Sequence, residues 1–339
     1  MRPRRRTRTR SGWTAVALVI LAAAPFFIAA GFYSAWRSDR LATLEAGSSL
    51  ALIPEGVMEF ADRGEGPVAL VIHGSPGGYD QGMVYGKELM KRGFRVIAVS
   101  RPGYLRTPLE TGVTIEEQAD AIDSLLRSIG ISKCAVLGIS EGSPCALLFS
   151  SRHPERVGSL VLLSPPAASL TYPAIASIGY KLFHDLTGDL GCWLLRLQLR
   201  TDPSALFAGM MNIGSSLRPS RCSALAAEAL ADPEQKSFLS DLTESITPLL
   251  PREPGIINDN AQLKNIRFPG KGTLAVPLLV LAGENESRFR IQDLNTLAAT
   301  TKGNIGSKIE VIPRVGHILP VGREFRRTWD DIAAFMKSR

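Results

Sequence analysis

Several residue types are scarce in this chain, and each shortage closes off a class of protein. Four cysteines in 339 residues are too few for a disulfide scaffold. There is no internal repeat and no low-complexity block beyond an arginine-rich start, which excludes a solenoid or fibrous architecture. Acidic residues are missing from residues 1–10, where six arginines stand, so of the formal net charge of +7 only +1 belongs to the remainder. A globular part so close to neutrality has no basic footprint for nucleic acid. Ionisable side chains are missing altogether from Thr14 to Phe32. Histidine occurs only at His73, His153, His184 and His317, so imidazole chemistry has few possible homes.

About 20 apolar residues cross a bilayer as one helix, and the charge-free stretch meets that length. Pro25 and Gly31 are tolerated in a membrane span, and Trp13, Tyr33 and Trp36 stand where interfacial aromatics belong. The arginine side is expected in the cytoplasm, with a lipid contact through the basic tail. The rest of the chain then lies outside it, in the periplasm of a Gram-negative cell. A cleaved signal peptide is the alternative, giving a secreted product, although Tyr33-Ser34-Ala35 is a poor cleavage site before Arg37.

Downstream, apolar runs alternate with helical stretches, which predicts a mostly parallel sheet flanked by helices. Val68-Ala69-Leu70-Val71-Ile72 runs into His73-Gly74-Ser75-Pro76-Gly77-Gly78, and Arg95-Val96-Ile97-Ala98-Val99 into Ser100-Arg101-Pro102-Gly103-Tyr104. Cys134-Ala135-Val136-Leu137 runs into Gly138-Ile139-Ser140-Glu141-Gly142, followed by the helical Pro144 to Phe149. A serine at the tip of a strand-to-helix bend needs a strained backbone and flanking glycines, and the next amide points at a developing oxyanion. With Val315-Gly316-His317 late in the chain, this order reads as a serine hydrolase.

These motifs, H-G-x-P-G, R-P-G-Y, G-x-S-x-G and G-H in that order, resemble the α/β-hydrolase fold, in its lid-bearing esterase, peptidase and epoxide-hydrolase branch. The resemblance covers roughly Val57 to Lys337. It implies Ser140 as nucleophile, His317 as base, and an oxyanion hole from the backbone N–H groups of Ser75 and Glu141. The turns around them comprise His73, Gly74, Pro76, Gly77, Gly138 and Gly142. Serine stands where epoxide and haloalkane hydrolases place an aspartate, which argues against those chemistries.

His317 also follows from order alone, because the base comes after nucleophile and acid in this fold. His73 precedes Ser140, His153 closes the following helix, and His184 lies in the variable middle region. Pro277-Leu278-Leu279-Val280-Leu281-Ala282 ends in Gly283-Glu284-Asn285-Glu286, which puts Glu286 at the family's aspartate position, with Glu284 and Asp293 as alternatives. A glutamate can hold the imidazole tautomer as an aspartate does. No metal or organic cofactor is implied. The Glu141 side chain needs no role beyond a salt bridge or an exposed position.

The expected organisation is a basic tail (1–11), transmembrane anchor (12–36), connector (37–52), first hydrolase part (53–168), helical lid (169–272) and second hydrolase part (273–339). Helical character in the lid comes from Trp193 to Leu197, Leu206-Phe207, Ala224 to Leu230, and Phe238 through Leu250. A bridge between Cys192 and Cys222 is permitted in an oxidising compartment. Cys134 and Cys145 read as small buried hydrophobes.

The function these features point to is a membrane-anchored carboxylic-ester hydrolase acting on a small ester or amide with an apolar acyl group. A peptidase similar to the proline iminopeptidases is an alternative and needs lid acids for an amine, for which Glu228, Asp232, Glu234, Asp241 and Glu244 are available. A non-catalytic binding module is the other.

Overall fold

Strands buried on both faces must be apolar at every position, and the uninterrupted runs form the inner strands of one sheet. The computed structural model describes residues 10–166, 189–264, 266, 269–288, 291–301 and 306–337. Eight strands are present among them: β1 (Ser49–Ile53), β2 (Gly56–Arg63), β3 (Val68–Ile72), β4 (Arg95–Val99), β5 (Cys134–Ile139), β6 (Val157–Leu163), β7 (Leu278–Gly283) and β8 (Ser307–Ile312). Their spatial order is β1-β2-β4-β3-β5-β6-β7-β8. The first two pairings, β1 with β2 and β2 with β4, are antiparallel and the rest parallel.

Side chains alternate between the faces, so each run feeds two cores. Val71, Ala98, Leu137, Val161 and Leu281 face one core, which is closed by α2 (Tyr79–Met90) and the helix Phe325–Lys337. Leu70, Ile97, Val136, Leu162 and Val280 face the other, closed by α3 (Ile115–Ser128) and α4 (Ser143–Arg152). Thr114 caps α3 through a reciprocal capping box with Glu117, which satisfies backbone donors at its start.

Between β6 and β7 the chain inserts α5 (Leu190–Thr201), α6 (Pro203–Asn212), α7 (Pro219–Ala231), α8 (Pro233–Glu244) and α9 (Glu253–Leu263). Three of these begin on a proline, whose missing N–H costs nothing at the first position. Asp202 and Asp232 cap α6 and α8 by accepting from Ala205 and Glu234 N–H. Phe207, Leu225 and Phe238 of the insertion continue the first core.

The N-terminal helix α1 runs from Arg10 to Gly47, beyond the expected anchor, and β1 begins two residues later. The expected connector 37–52 is therefore helix followed by strand. Leu41-Ala42-Thr43-Leu44-Glu45-Ala46 contains no breaker, so the helix persists until Gly47. The part of α1 from Val16 onward is long and apolar enough to cross a membrane. The chain divides into two compact units at Thr43 and Leu44.

All four cysteines are free and buried, so the bridge between Cys192 and Cys222 is not formed. Cys192 opens α5 while Cys222 packs from α7 into the first core, each as a small apolar group. Burial pushes the Cys134 and Cys145 thiols up to about 12 and Cys192 to about 11, far from thiolate chemistry. The basic tail through Arg8, Ala167, Ala168 and His184 lie outside the described residues.

Candidate active site

Strand β5 ends in a turn whose two glycines have steric causes. A Cβ on Gly138 would stand 2.6 Å from the Ala146 methyl, and one on Gly142 would run into the His73 carbonyl oxygen. The turn thus packs directly under the loop that follows β3. Ser140 between them takes φ 46°, a left-handed backbone that a non-glycine residue adopts only when its surroundings enforce it. This presents its hydroxyl at the C-terminal end of the sheet, where open α/β sheets bind ligands.

Ser140 Oγ lies 2.8 Å from His317 Nε2, and His317 Nδ1 lies 2.5 Å from Glu286 Oε2. His317 stands on the segment after β8, and its carbonyl accepts from Ser164 Oγ at 2.8 Å. Glu286 stands beyond β7, and its second oxygen accepts from the Arg288 N–H at 2.9 Å. All three side chains are buried. The structure does not bring Glu284 to this group: its carboxylate accepts from the Arg314 N–H. Asp293 ends a short 3₁₀ turn, Ile291–Asp293.

Two charged side chains meet Ser140 here: Arg288, which the sequence reading did not single out, and Glu141, for which it expected a salt bridge or an exposed position and which forms the salt bridge while being buried. Glu141 is buried, and its Oε2 accepts from Ser140 Oγ at 2.5 Å and faces the Ser75 N–H at 3.4 Å. Arg288 pairs with the other Glu141 oxygen, while its Nη1 lies 2.9 Å from His317 Nε2 and 3.2 Å from Ser140 Oγ. Burial works to raise the Glu141 carboxyl, but the charges of Arg288 and His317 and the hydrogen bonds from Ser140 and Arg288 outweigh it. The result is a carboxyl held down at about 2. The charge next to Ser140 is plain in the sequence. That it points inward depends on Arg288, 147 residues away.

The remaining motif residues form the walls of the nucleophile turn. Gly74 N–H donates to Gln81 Oε1 at 2.9 Å. His73 is fully buried, with Nδ1 2.6 Å from the Gly74 carbonyl and Nε2 accepting from the Arg101 N–H at 3.0 Å. That donor at Nε2 makes Nδ1 the protonated nitrogen. Burial, reinforced by the nearby Arg101 and Arg252 charges, lowers its pKa well below the ordinary value. It is a neutral framework residue. His153 bonds Asp120 at 2.9 Å, away from Ser140.

Two enclosed ion pairs tie the insertion to the elements around this loop, Arg101 after β4 and Asp80 at the start of α2. Asp259 of α9 receives Arg101 at 2.7 and 2.5 Å and the Tyr104 hydroxyl proton at 2.5 Å, and the Tyr104 oxygen in turn accepts from the Ser75 hydroxyl at 3.1 Å. Arg252 pairs with Asp80 and donates to the Gly77 carbonyl at 2.6 Å. Ser75 is thereby positioned from the far side of the cavity.

A cavity of about 420 Å³ opens beside Ser140, within the range of small-molecule sites. Leu195, Leu206, Met210, Ile213, Leu242 and Ile246 of the insertion give it aliphatic walls, and Arg288 brings its cationic end to it. The five insertion acids considered for an amine are engaged with cations instead: Glu228 with Arg221, Asp232 and Glu234 with Arg326, Asp241 with Lys87, and Glu244 with Arg196.

A model of the alpha/beta hydrolase fold matches residues 67–322. An uncharacterised hydrolase of Bacillus subtilis is 25% identical over 286 residues, covering 84% of this chain and 96% of that protein. A 2-hydroxy-6-oxo-6-phenylhexa-2,4-dienoate hydrolase of Comamonas testosteroni is 28% identical over 153 residues, 52% of its length. Among solved structures, an alpha/beta hydrolase fold protein from Nakamurella multipartita superposes with a TM-score of 0.77 at 27% identity, over 85% of this chain and 98% of that one.

Proposed function

The chain belongs to the alpha/beta hydrolase fold family, and on that premise we propose that it is a membrane-anchored serine hydrolase cleaving carboxylic esters through a Ser140-His317-Glu286 triad. The observation that carries this reading is the unbroken line from Glu286 through both ring nitrogens of His317 to Ser140, at 2.5 and 2.8 Å. A carboxylate on Nδ1 holds the proton there, leaving Nε2 to take the serine proton as Oγ attacks the carbonyl. The tetrahedral intermediate then collapses: the ester C–O bond breaks, His317 returns the proton to the departing alcohol, and the acyl-enzyme left on Ser140 is hydrolysed by water that the same nitrogen activates, releasing the acid. The backbone N–H groups of Ser75 and Glu141 receive the oxyanion, a role that requires the Glu141 carboxylate to withdraw from the Ser75 amide.

In this reading the helical insertion acts as a lid, and its aliphatic walls bind the apolar acyl group. A peptidase of the aminopeptidase kind needs a carboxylate for the substrate amine. Salt bridges already occupy Glu228, Asp232, Glu234, Asp241 and Glu244, the acids considered for that role, which favours the ester. Helix α1 serves as the anchor, with the arginine tail cytoplasmic and the catalytic unit outside. Comparing hydrolysis of p-nitrophenyl esters with release of proline from short peptides tests the substrate assignment. Ester turnover without proline release is expected, and the reverse would transfer the assignment to the peptidases.

A further inference from the structure

The Ser140 hydroxyl has one proton and two acceptors in reach, His317 Nε2 at 2.8 Å and Glu141 Oε2 at 2.5 Å. Arg288 decides between them. Its Nη1–H already occupies the Nε2 lone pair at 2.9 Å, so the hydroxyl proton goes to Glu141. In this arrangement the base is not available to the nucleophile. The same contacts describe a bound anion: the Glu141 carboxylate is held by the Arg288 guanidinium, the Ser140 hydroxyl and the Ser75 N–H. Glu141 is buried and Arg288 partly so, with side chains 5% and 18% exposed, and Arg288 lines the cavity.

We propose that Arg288 binds an anionic group of the substrate, a carboxylate on the acyl chain near the scissile carbonyl, and that Glu141 holds this place until substrate displaces it. The proposal rests on the serine-hydrolase reading and narrows its substrates to half-esters of short dicarboxylic acids and compounds of like charge. An incoming carboxylate exchanges with Glu141 on the guanidinium, so Arg288 keeps a counter-ion throughout and only Glu141 must find new partners. As Nη1 turns to the substrate it leaves Nε2, and the Ser140 proton can pass to His317. A neutral ester must part the same ion pair while offering neither ion a partner.

The test compares kcat/KM for mono-p-nitrophenyl glutarate and p-nitrophenyl pentanoate, which share an acyl length, using the full chain in detergent. Wild type is expected to prefer the half-ester by at least about tenfold, the scale of a charge-assisted hydrogen bond. Arg288→Gln brings the ratio near one, Arg288→Lys retains part of it, and Glu141→Gln lowers KM for the half-ester because the competing internal anion is gone. A wild-type ratio at or below one, or a ratio unchanged in Arg288→Gln, overturns the inference. Fluorophosphonate labelling of the same preparation separates the two levels. A labelled enzyme indifferent to charge refutes the Arg288 assignment alone, whereas a folded enzyme that takes no label refutes the serine-hydrolase reading and this inference with it.

Discussion

Asp259→Ala removes one partner of an enclosed ion pair between the insertion and Arg101, on the loop after β4 that packs beside the one carrying Ser75. Arg101 is 2% exposed, and Asp259 supplies both oxygens to its guanidinium at 2.7 and 2.5 Å. Burial works to lower the Arg101 pKa and the Asp259 charge carries it above its ordinary value; a guanidinium keeps its proton even without that partner, so the variant holds a buried cation with no counter-charge there. Breaking a buried pair in this way costs about 3–5 kcal/mol. A folded unit of about 300 residues has an unfolding entropy near 0.6 kcal/mol per degree, so the midpoint should fall by roughly 5–8 °C. Tyr104 also loses its acceptor at 2.5 Å, and with it the fixed orientation in which its oxygen accepts from the Ser75 hydroxyl. Thermal unfolding and ester turnover measured on the same preparation read both effects. Replacing the pair with apolar groups, Arg101→Met with Asp259→Leu, should restore most of the stability and little of the turnover, because the stranded charge is gone but the Tyr104 link is still broken. A single variant that costs under about 1 kcal/mol and leaves turnover intact would refute the claim that this pair organises the site.

The triad's acid has its own signature: Glu286→Gln should lower turnover by roughly 10³ to 10⁴ by favouring the wrong imidazole tautomer, while the unfolding midpoint moves little. Glu141 makes a pH prediction. Its carboxyl is depressed in the fold from 4.5 to about 2, so its stabilisation is fully present above pH 4.5 and is lost as pH falls through that window toward 2. Wild type should therefore lose on the order of 3 kcal/mol more than Glu141→Gln across that window, measured by thermal unfolding against pH. Gly142→Ala forces a methyl against the His73 carbonyl and should abolish ester turnover, with circular dichroism reporting whether the sheet survives.

The inner sheet was legible because β3, β4, β5, β6 and β7 are buried on both faces and must be apolar throughout. The Ser140 turn was legible because Gly138 and Gly142 have steric partners that admit nothing larger. Strand β1 escaped notice because it lies at the sheet edge, where half of its residues face solvent and the apolar pattern is diluted. Helix α1 outran its expected end because a hydrophobic span is bounded by charge, whereas a helix is bounded by capping and breakers. The inward turn of Glu141 and the pairing of Arg101 with Asp259 depend on partners 147 and 158 residues distant, which no local pattern encodes. His73 showed the same limit in reverse: it sits in a catalytic-looking motif, yet its nitrogens are committed to Gly74 and Arg101.

The central claim is that Ser140, activated by His317, is a nucleophile. Its most direct test is intact-mass analysis of the full chain after treatment with a fluorophosphonate, beside Ser140→Ala and His317→Ala. The expected result is one adduct, mapped to Ser140, absent from the first variant and slowed by several orders of magnitude in the second. A folded wild-type chain that stays unmodified, or carries its adduct on another residue, would contradict the account and favour a non-catalytic module.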